Sequence, residues 1–209
     1  LLGQIGDVDE AMDLLRAHLR LHPGDAAAMG NLAYLTNCSD ACTPADVLTR
    51  AGVDVTVAGL GTIEPMGVHN LPLRAQMLVE DLGEILFDCL ILPGGGKGAE
   101  NMHKSAWVND AILRHWKNDR IVAAICASPA VVLLPTGILA NKHATCFPGL
   151  ERRFTQDVKA VDSDVCVDGK LVTSKGPGTA MAFSLRLVEL LCGLSKAIDV
   201  GRRMVVPRM

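Results

Sequence analysis

Cys126 is the residue whose type and position in this chain are best suited to chemistry. It lies between the apolar run Ile121–Ile125 and residues 127–134, which begin Ala-Ser-Pro and continue as a second apolar run. A buried strand that turns at once into a helix holds such a residue at a sharp elbow, which requires small neighbours. The helix N-terminus is expected to lower the pKa of the thiol and make it a thiolate at neutral pH. The alternative is a buried cysteine that packs as a small apolar residue, which fits Cys89 and Cys192 in their apolar runs better.

Two glycine-rich segments follow other apolar runs. Residues 92–98 read Leu-Pro-Gly-Gly-Gly-Lys-Gly, and residues 174–179 read Ser-Lys-Gly-Pro-Gly-Thr. Glycines there let backbone N–H groups approach a ligand or an oxyanion with no Cβ in the way. Residues 94–98 have neither the spacing of a phosphate loop nor that of a dinucleotide fingerprint. No nucleotide or other cofactor is therefore predicted.

The sequence around these segments alternates between strands and helices. Helices are predicted over 43–52, over 106–118, from 129 onward, and from a cap at Thr179 to Leu191. Strands are predicted over 53–59, 84–92, 121–125, 143–147 and 170–178. This alternation indicates an α/β fold, with a mostly parallel sheet between two layers of helices. The carboxyl ends of parallel strands share one edge of the sheet, so Cys126 and both glycine segments are expected to meet there.

Composition and charge narrow the class of protein. The 209 residues fit one domain with some additional chain, and 49% hydrophobic with 21% charged residues indicates a folded core. The net charge is −3 and no basic cluster contains aromatic residues, so nucleic acid is not a predicted partner. No apolar run approaches the ~20 residues that span a bilayer, and the acidic N-terminus is not typical of a signal peptide. Seven irregularly spaced cysteines predict neither a disulfide framework nor a zinc or other metal site, and favour the cytoplasm.

The pattern of apolar residues in 1–37 differs from that of the rest of the chain. We interpret these residues as a helical extension ahead of a main domain at 38–209. Apolar residues recur at helical spacing before Pro23: Ala11, Leu14, Leu15 and Leu19. The pattern resembles part of one tetratricopeptide repeat, and such repeats need about three copies to share a core. A helical extension or a repeat remnant is therefore favoured over a peptide-binding array. Residues 31–37 fit either a helix or the first strand of the sheet.

Four segments resemble the ThiJ/PfpI family in both order and spacing: 50–60, 92–101, 122–129 and 173–179. Together they cover about residues 40–195 and are nearest to the protein-deglycase branch. The resemblance implies a flavodoxin-like three-layer α/β sandwich that forms a homodimer. It also implies cofactor-independent chemistry on small reactive aldehydes, such as methylglyoxal or glycated adducts, and a part in the response to oxidative stress.

The resemblance assigns site residues one at a time. Cys126 corresponds to the family's nucleophile. The backbone groups that would bind an oxyanion correspond to Gly94, Gly95 and Ala127. Asp40 stands where the family has a glutamate, which is protonated, donates a hydrogen bond to the sulfur and serves as general acid and base. Without the resemblance, Asp40 is also consistent with a helix N-cap or a loop acid. Protease-like branches have histidine where Ala127 stands, so peptidase activity is not expected.

Two functions from different classes follow. The first is an enzyme of the glyoxalase III or deglycase type, in which the Cys126 thiolate adds to an aldehyde and Asp40 moves the proton. The second is a redox-sensing, stress-protective or chaperone-like protein without robust turnover, in which Cys126 oxidises reversibly. Cys146 is either a second redox-active thiol or an ordinary strand residue. His103 and His115 are predicted to lie at the surface.

Overall fold

The computed structural model describes residues 39–65, 67 and 72–207. The predicted helical extension, with its alternative strand at 31–37, lies outside the described residues. Within the described part of the chain, no helix is long and apolar enough to cross a bilayer.

The described residues form eight short strands. In chain order they are β1 Ala58–Gly59, β2 Met77–Leu78, β3 Cys89–Leu92, β4 Ile121–Ile125, β5 His143–Ala144, β6 Lys159–Ala160, β7 Val165–Asp168 and β8 Leu171–Ser174. The central sheet has the order β3-β4-β8-β7, with β3, β4 and β8 parallel and β7 antiparallel at the edge. Two parallel pairs, β1 with β2 and β5 with β6, complete the strands of the described region. The predicted mostly parallel α/β fold is confirmed.

Helices cover the sheet in two groups. They are α1 Ser39–Arg50, α2 Gly96–Lys104, α3 Ala106–Lys117, α4 Leu134–Thr136, α5 Ala180–Cys192 and α6 Leu194–Arg203, with a π-helical turn at Pro129–Leu133 that leads into α4. Three single 3₁₀ turns lie at Val79–Leu82, Glu151–Arg153 and Pro177–Thr179. Helix α5 contacts α1, α6 and the β7–β8 side of the sheet, whereas α3 contacts α2, β3 and β4. The arrangement corresponds to the predicted sandwich of helices, sheet and helices.

Strand β4 lies at the centre of the core. All five of its residues are buried, as expected for a parallel strand that is covered on both faces. Phe183, Leu187 and Ile112 pack into the same core and are also fully buried. Because β4 is rigidly enclosed, the residue that follows it is held in a fixed position.

Several predicted strands are longer than the paired segments. The predicted strand 53–59 pairs only at β1, 84–92 only at β3, and 143–147 only at β5. An alternating or apolar pattern indicates an extended chain, but a strand also needs a neighbouring backbone to pair with. Within the described residues, β3 has a paired neighbour on one side only, and its Leu90 and Ile91 are only partly buried.

Four local predictions were wrong. Helix α2 begins inside the predicted glycine loop, because glycines at a helix N-terminus do not prevent helix formation in the residues that follow. His115 is only 1% exposed, since it shares one face of α3 with Val108, Ala111 and Ile112. Cys192 is exposed at the end of α5. Thr179 occupies the N-cap position of α5, but its hydroxyl donates to the Gly176 carbonyl oxygen instead of capping the helix.

Candidate active site

Cys126 occupies a strained elbow between β4 and the π-helical turn. Its φ is +65°, in the left-handed region that non-glycine residues rarely adopt. Two backbone hydrogen bonds hold it there: its N–H donates to Ser174 O at 2.9 Å, and its C=O accepts from Phe147 N–H at 2.8 Å. The residue is 9% exposed. Such strain persists only where the surroundings fix it, and it is common at functional sites.

Ser128 connects the Cys126 elbow to the end of β3. The sequence patterns did not identify it as a residue of the site. This residue is fully buried, and its hydroxyl donates to the carbonyl oxygen of Pro93, just after β3. The hydrogen bond ties the Cys126 turn to the first glycine segment. The available signal was a hydroxyl residue directly before Pro129, which indicates a turn or helix start.

Asp40 lies beside the Cys126 thiol. It belongs to the first turn of α1 and is 6% exposed. The carboxyl hydrogen-bonds with the Cys126 thiol and accepts from the backbone N–H of Gly94. Its Oδ1 atom has no hydrogen-bond partner among the described residues. The structure therefore brings together the acid and the thiol, which are 86 residues apart in the sequence (126 − 40).

The first glycine segment closes around these two side chains. A Cβ on Gly94 would collide with the Cβ of Cys126 and the Oδ2 of Asp40, and would lie 3.0 Å from Cys126 Sγ. Gly95 has a φ of +89° and precedes α2, and its N–H hydrogen-bonds to the Cys126 sulfur, as does the N–H of Ala127. All five residues predicted for the site thus lie together, and the position of Gly94 admits no side chain.

The protonation state of Cys126 differs from the sequence prediction. Burial, followed by the charge of Asp40, raises the pKa of the Cys126 thiol to about 11. The Gly95 and Ala127 amides lower this pKa, but they do not outweigh the other two effects. The prediction of a thiolate at neutral pH was therefore wrong, because a thiol beside a carboxylate in a dry pocket keeps its proton.

The protonation state of Asp40 is linked to that of Cys126. Burial raises the pKa of its carboxyl to about 6, against the opposing effect of hydrogen bonds from Cys126 and Gly94. Near neutral pH, the carboxylate accepts a hydrogen bond from the thiol, which reverses the predicted direction of donation. Between about pH 6 and 11 the pair holds a single proton, and the two groups titrate as a unit.

The second glycine segment, residues 174–179, and the segment after β5 lie on the remaining side of Cys126. A Cβ on Gly176 would lie 3.9 Å from Cys126 Sγ and 3.4 Å from the Phe147 ring. Phe147 is 46% exposed at the rim. A cavity opens beside Cys126 and Asp40, with Leu150 and Arg152 also in its lining. Among the described residues, no group of three or more His, Cys, Asp or Glu side chains is placed to hold a metal ion.

Comparison with known proteins identifies relatives over most of the chain. The model of the DJ-1/PfpI family matches residues 31–190. "Protein DJ-1 homolog B" of Arabidopsis thaliana is 37% identical over 176 residues, which cover 84% of this chain but 40% of that protein. The chain thus spans less than half of that relative's length. The "Glutathione-independent glyoxalase DJR-1.2" of Caenorhabditis elegans is 33% identical over 152 residues, 72% of this chain and 80% of that protein.

Solved structures of similar proteins share the fold. The crystal structure of Drosophila melanogaster DJ-1beta has a TM-score of 0.78 and 34% sequence identity, and the match covers 81% of this chain and 92% of that chain. The structure of Toxoplasma gondii DJ-1 described as oxidized has a TM-score of 0.79 and 33% identity, with the same coverage.

Proposed function

The chain belongs to the DJ-1/PfpI family, and we propose that it detoxifies small reactive carbonyls at Cys126 as part of a stress-protective role. The reaction is of the glyoxalase III or deglycase type, with methylglyoxal or an early glycation adduct as substrate. The relative named as a glutathione-independent glyoxalase supports this class of substrate. We further propose a homodimer in the cytoplasm, as the resemblance and the cysteine pattern led us to expect.

The observation that carries the proposal is the hydrogen bond between the Cys126 thiol and the Asp40 carboxyl in a buried site. A carboxyl with a pKa of about 6 is ionised at neutral pH and close enough to the thiol to accept its proton. General acid–base catalysis is most efficient when the pKa of the group lies near the working pH. The raised pKa of Cys126 then keeps the thiol protonated at rest, and Asp40 activates it when a carbonyl carbon is in reach.

The proposed reaction balances without a cofactor. The Cys126 sulfur adds to the aldehyde carbon of methylglyoxal while its proton moves to Asp40, and the new alkoxide lies near the N–H groups of Gly95 and Ala127. Asp40 gives its proton to the oxygen, then removes the proton from the former aldehyde carbon and returns it to the neighbouring carbon. The hydroxyl proton on the former aldehyde carbon moves to the oxygen of that neighbouring carbon, which becomes the lactoyl hydroxyl. The product is a lactoyl thioester on Cys126. Water hydrolyses this thioester to lactate and restores the thiol, so the sum is methylglyoxal plus water to lactate.

The test is lactate formation from methylglyoxal by the purified chain. Cys126→Ser is expected to abolish lactate formation, and Asp40→Asn to lower kcat by roughly 10²–10⁴-fold, as for loss of a general acid–base group. Asp40→Glu keeps the carboxyl and is expected to retain more activity than Asp40→Asn. Cys166→Ala removes a different buried thiol and serves as the matched control. No lactate from a folded wild-type chain would contradict the enzymatic proposal.

A redox-sensing, stress-protective or chaperone-like role is the second candidate. The observation that favours it is the buried sulfur surrounded by a carboxyl and two amides, groups that can also hold a sulfur-bound oxygen. Here mild peroxide is expected to oxidise Cys126, and the chain would show no lactate formation. Intact mass and peptide mapping after such treatment distinguish this role from the first.

A further inference from the structure

Cys146 lies directly beside the Cys126 elbow. The backbone of Phe147, the next residue, donates its N–H to the carbonyl oxygen of Cys126 at 2.8 Å. Backbones joined by such a hydrogen bond run about 5 Å apart. Disulfides bridge α-carbons that are about 4.4–6.8 Å apart. The α-carbons of the two cysteines therefore lie at a separation that a disulfide can span.

Both cysteines are buried. Cys146 is 4% exposed, and burial, then the charges of Glu151 and Cys126, raise the pKa of its thiol to about 12. The Cys146 Sγ has a weak contact with the Phe147 carbonyl oxygen at 3.6 Å, so a change of its position would break no strong hydrogen bond at that oxygen. The carbonyl chemistry proposed above does not use this thiol.

Other described cysteines are less well placed to meet Cys126. Cys166 lies on β7, which is separated from β4 by β8. Cys89 pairs with Ile121 at the opposite end of β4, about 16 Å of strand away from Cys126. Cys42 is two residues beyond Asp40 on α1, where helix geometry turns it to the opposite side from the carboxyl that faces Cys126.

We propose that Cys146 is the resolving thiol of Cys126 and converts its oxidised form into an intramolecular disulfide. A peroxide first oxidises the Cys126 thiol by two electrons to a sulfenic acid and leaves as an alcohol or water. The Cys146 sulfur then attacks the Cys126 sulfur, the S–O bond breaks, and the hydroxyl leaves as water with the proton from Cys146. An external dithiol reduces the disulfide and restores both thiols.

This step changes the outcome of oxidation at the site. A sulfenic acid with no neighbouring thiol proceeds to sulfinic acid, which is generally irreversible. Capture by Cys146 would stop the sequence at a reversible state and would block the sulfur that the proposed carbonyl chemistry needs. The inference depends on the positions of the two thiols and stands whether or not the chain forms lactate.

Peptide mapping provides the test, because trypsin separates the two cysteines. Cleavage places Cys126 in residues 121–142 and Cys146 in residues 143–152, with one cysteine in each peptide. After treatment of the full chain with one equivalent of hydrogen peroxide and blocking of free thiols, we expect these peptides to be joined in a non-reducing digest. We also expect two thiols of the seven to be lost for each peroxide consumed. Dithiothreitol should restore both thiols.

Two variants sharpen the result. In Cys146→Ala, excess peroxide is expected to carry Cys126 to sulfinic acid, with a gain of two oxygens on residues 121–142. In Cys166→Ala, which removes a buried thiol from β7, the cross-link is expected to persist. Sulfinic acid on wild-type Cys126 with Cys146 still reduced would overturn the proposal. So would a cross-link from Cys126 to residues 21–50, the peptide that contains Cys38 and Cys42.

Discussion

Ionisation of the buried Asp40 carboxyl should lower the free energy of unfolding of this protein. Burial raises the pKa of this group from 3.8 to about 6. One pKa unit corresponds to about 1.36 kcal/mol, so ionised Asp40 lowers the free energy of unfolding by about 3 kcal/mol at neutral pH. Because the folded-state pKa is the higher one, the loss is absent below pH 3.8 and grows as pH rises through 6. About 2 kcal/mol of it develops between pH 4.5 and pH 8.

Asp40→Asn removes the charge with little change of shape and isolates this effect. We expect the variant to gain stability relative to wild type as pH rises, by about 2 kcal/mol between pH 4.5 and pH 8. Urea unfolding at several pH values in that range measures both free energies, and the difference cancels the titration of all other groups. The same substitution should lower kcat, so stability and activity would change in opposite directions.

Asp46→Asn is the matched control, since Asp46 is an exposed carboxyl on the same helix, paired with Arg50. Its stability difference from wild type is expected to be within about 1 kcal/mol, as for surface ion pairs. A stability difference for Asp40→Asn that does not vary with pH would refute the reasoning, because it would mean that Asp40 is not desolvated on folding.

Two other predictions concern the packing of the site and of the core. Gly94→Ala should reduce lactate formation and stability, by about 1–3 kcal/mol as for overpacking, because its methyl group would displace Cys126. Gly96→Ala, where a Cβ meets nothing within 4 Å, should leave both nearly unchanged, and equal effects would contradict the assignment. Burial lowers the pKa of His115, whose Nε2 accepts from Phe87 N–H at 3.0 Å. Wild type should therefore lose stability relative to His115→Leu as pH falls below about 6.5, and urea unfolding that shows no such change would contradict it.

Local sequence patterns predicted the segments whose environment is uniform along their length. Strand β4 was predicted with the correct bounds, because an unbroken apolar run of five residues fits a strand that is covered on both faces. Helix α3 ends one residue before its predicted end. The strand predicted at 53–59 was too long, since its pairing depends on a distant backbone that the local sequence does not contain.

The sequence alone determined which side chains are available and that the Cys126 elbow and two glycine segments meet at one edge of a parallel sheet. Connectivity and the length of each segment are sufficient for that. Only the tertiary structure decided the charge state of Cys126 and Asp40, because a pKa depends on the dielectric surroundings and on groups from distant parts of the chain. It also decided that His115 is buried and that the backbone beside Cys146 is hydrogen-bonded to Cys126, since both facts depend on how helices and strands pack in three dimensions.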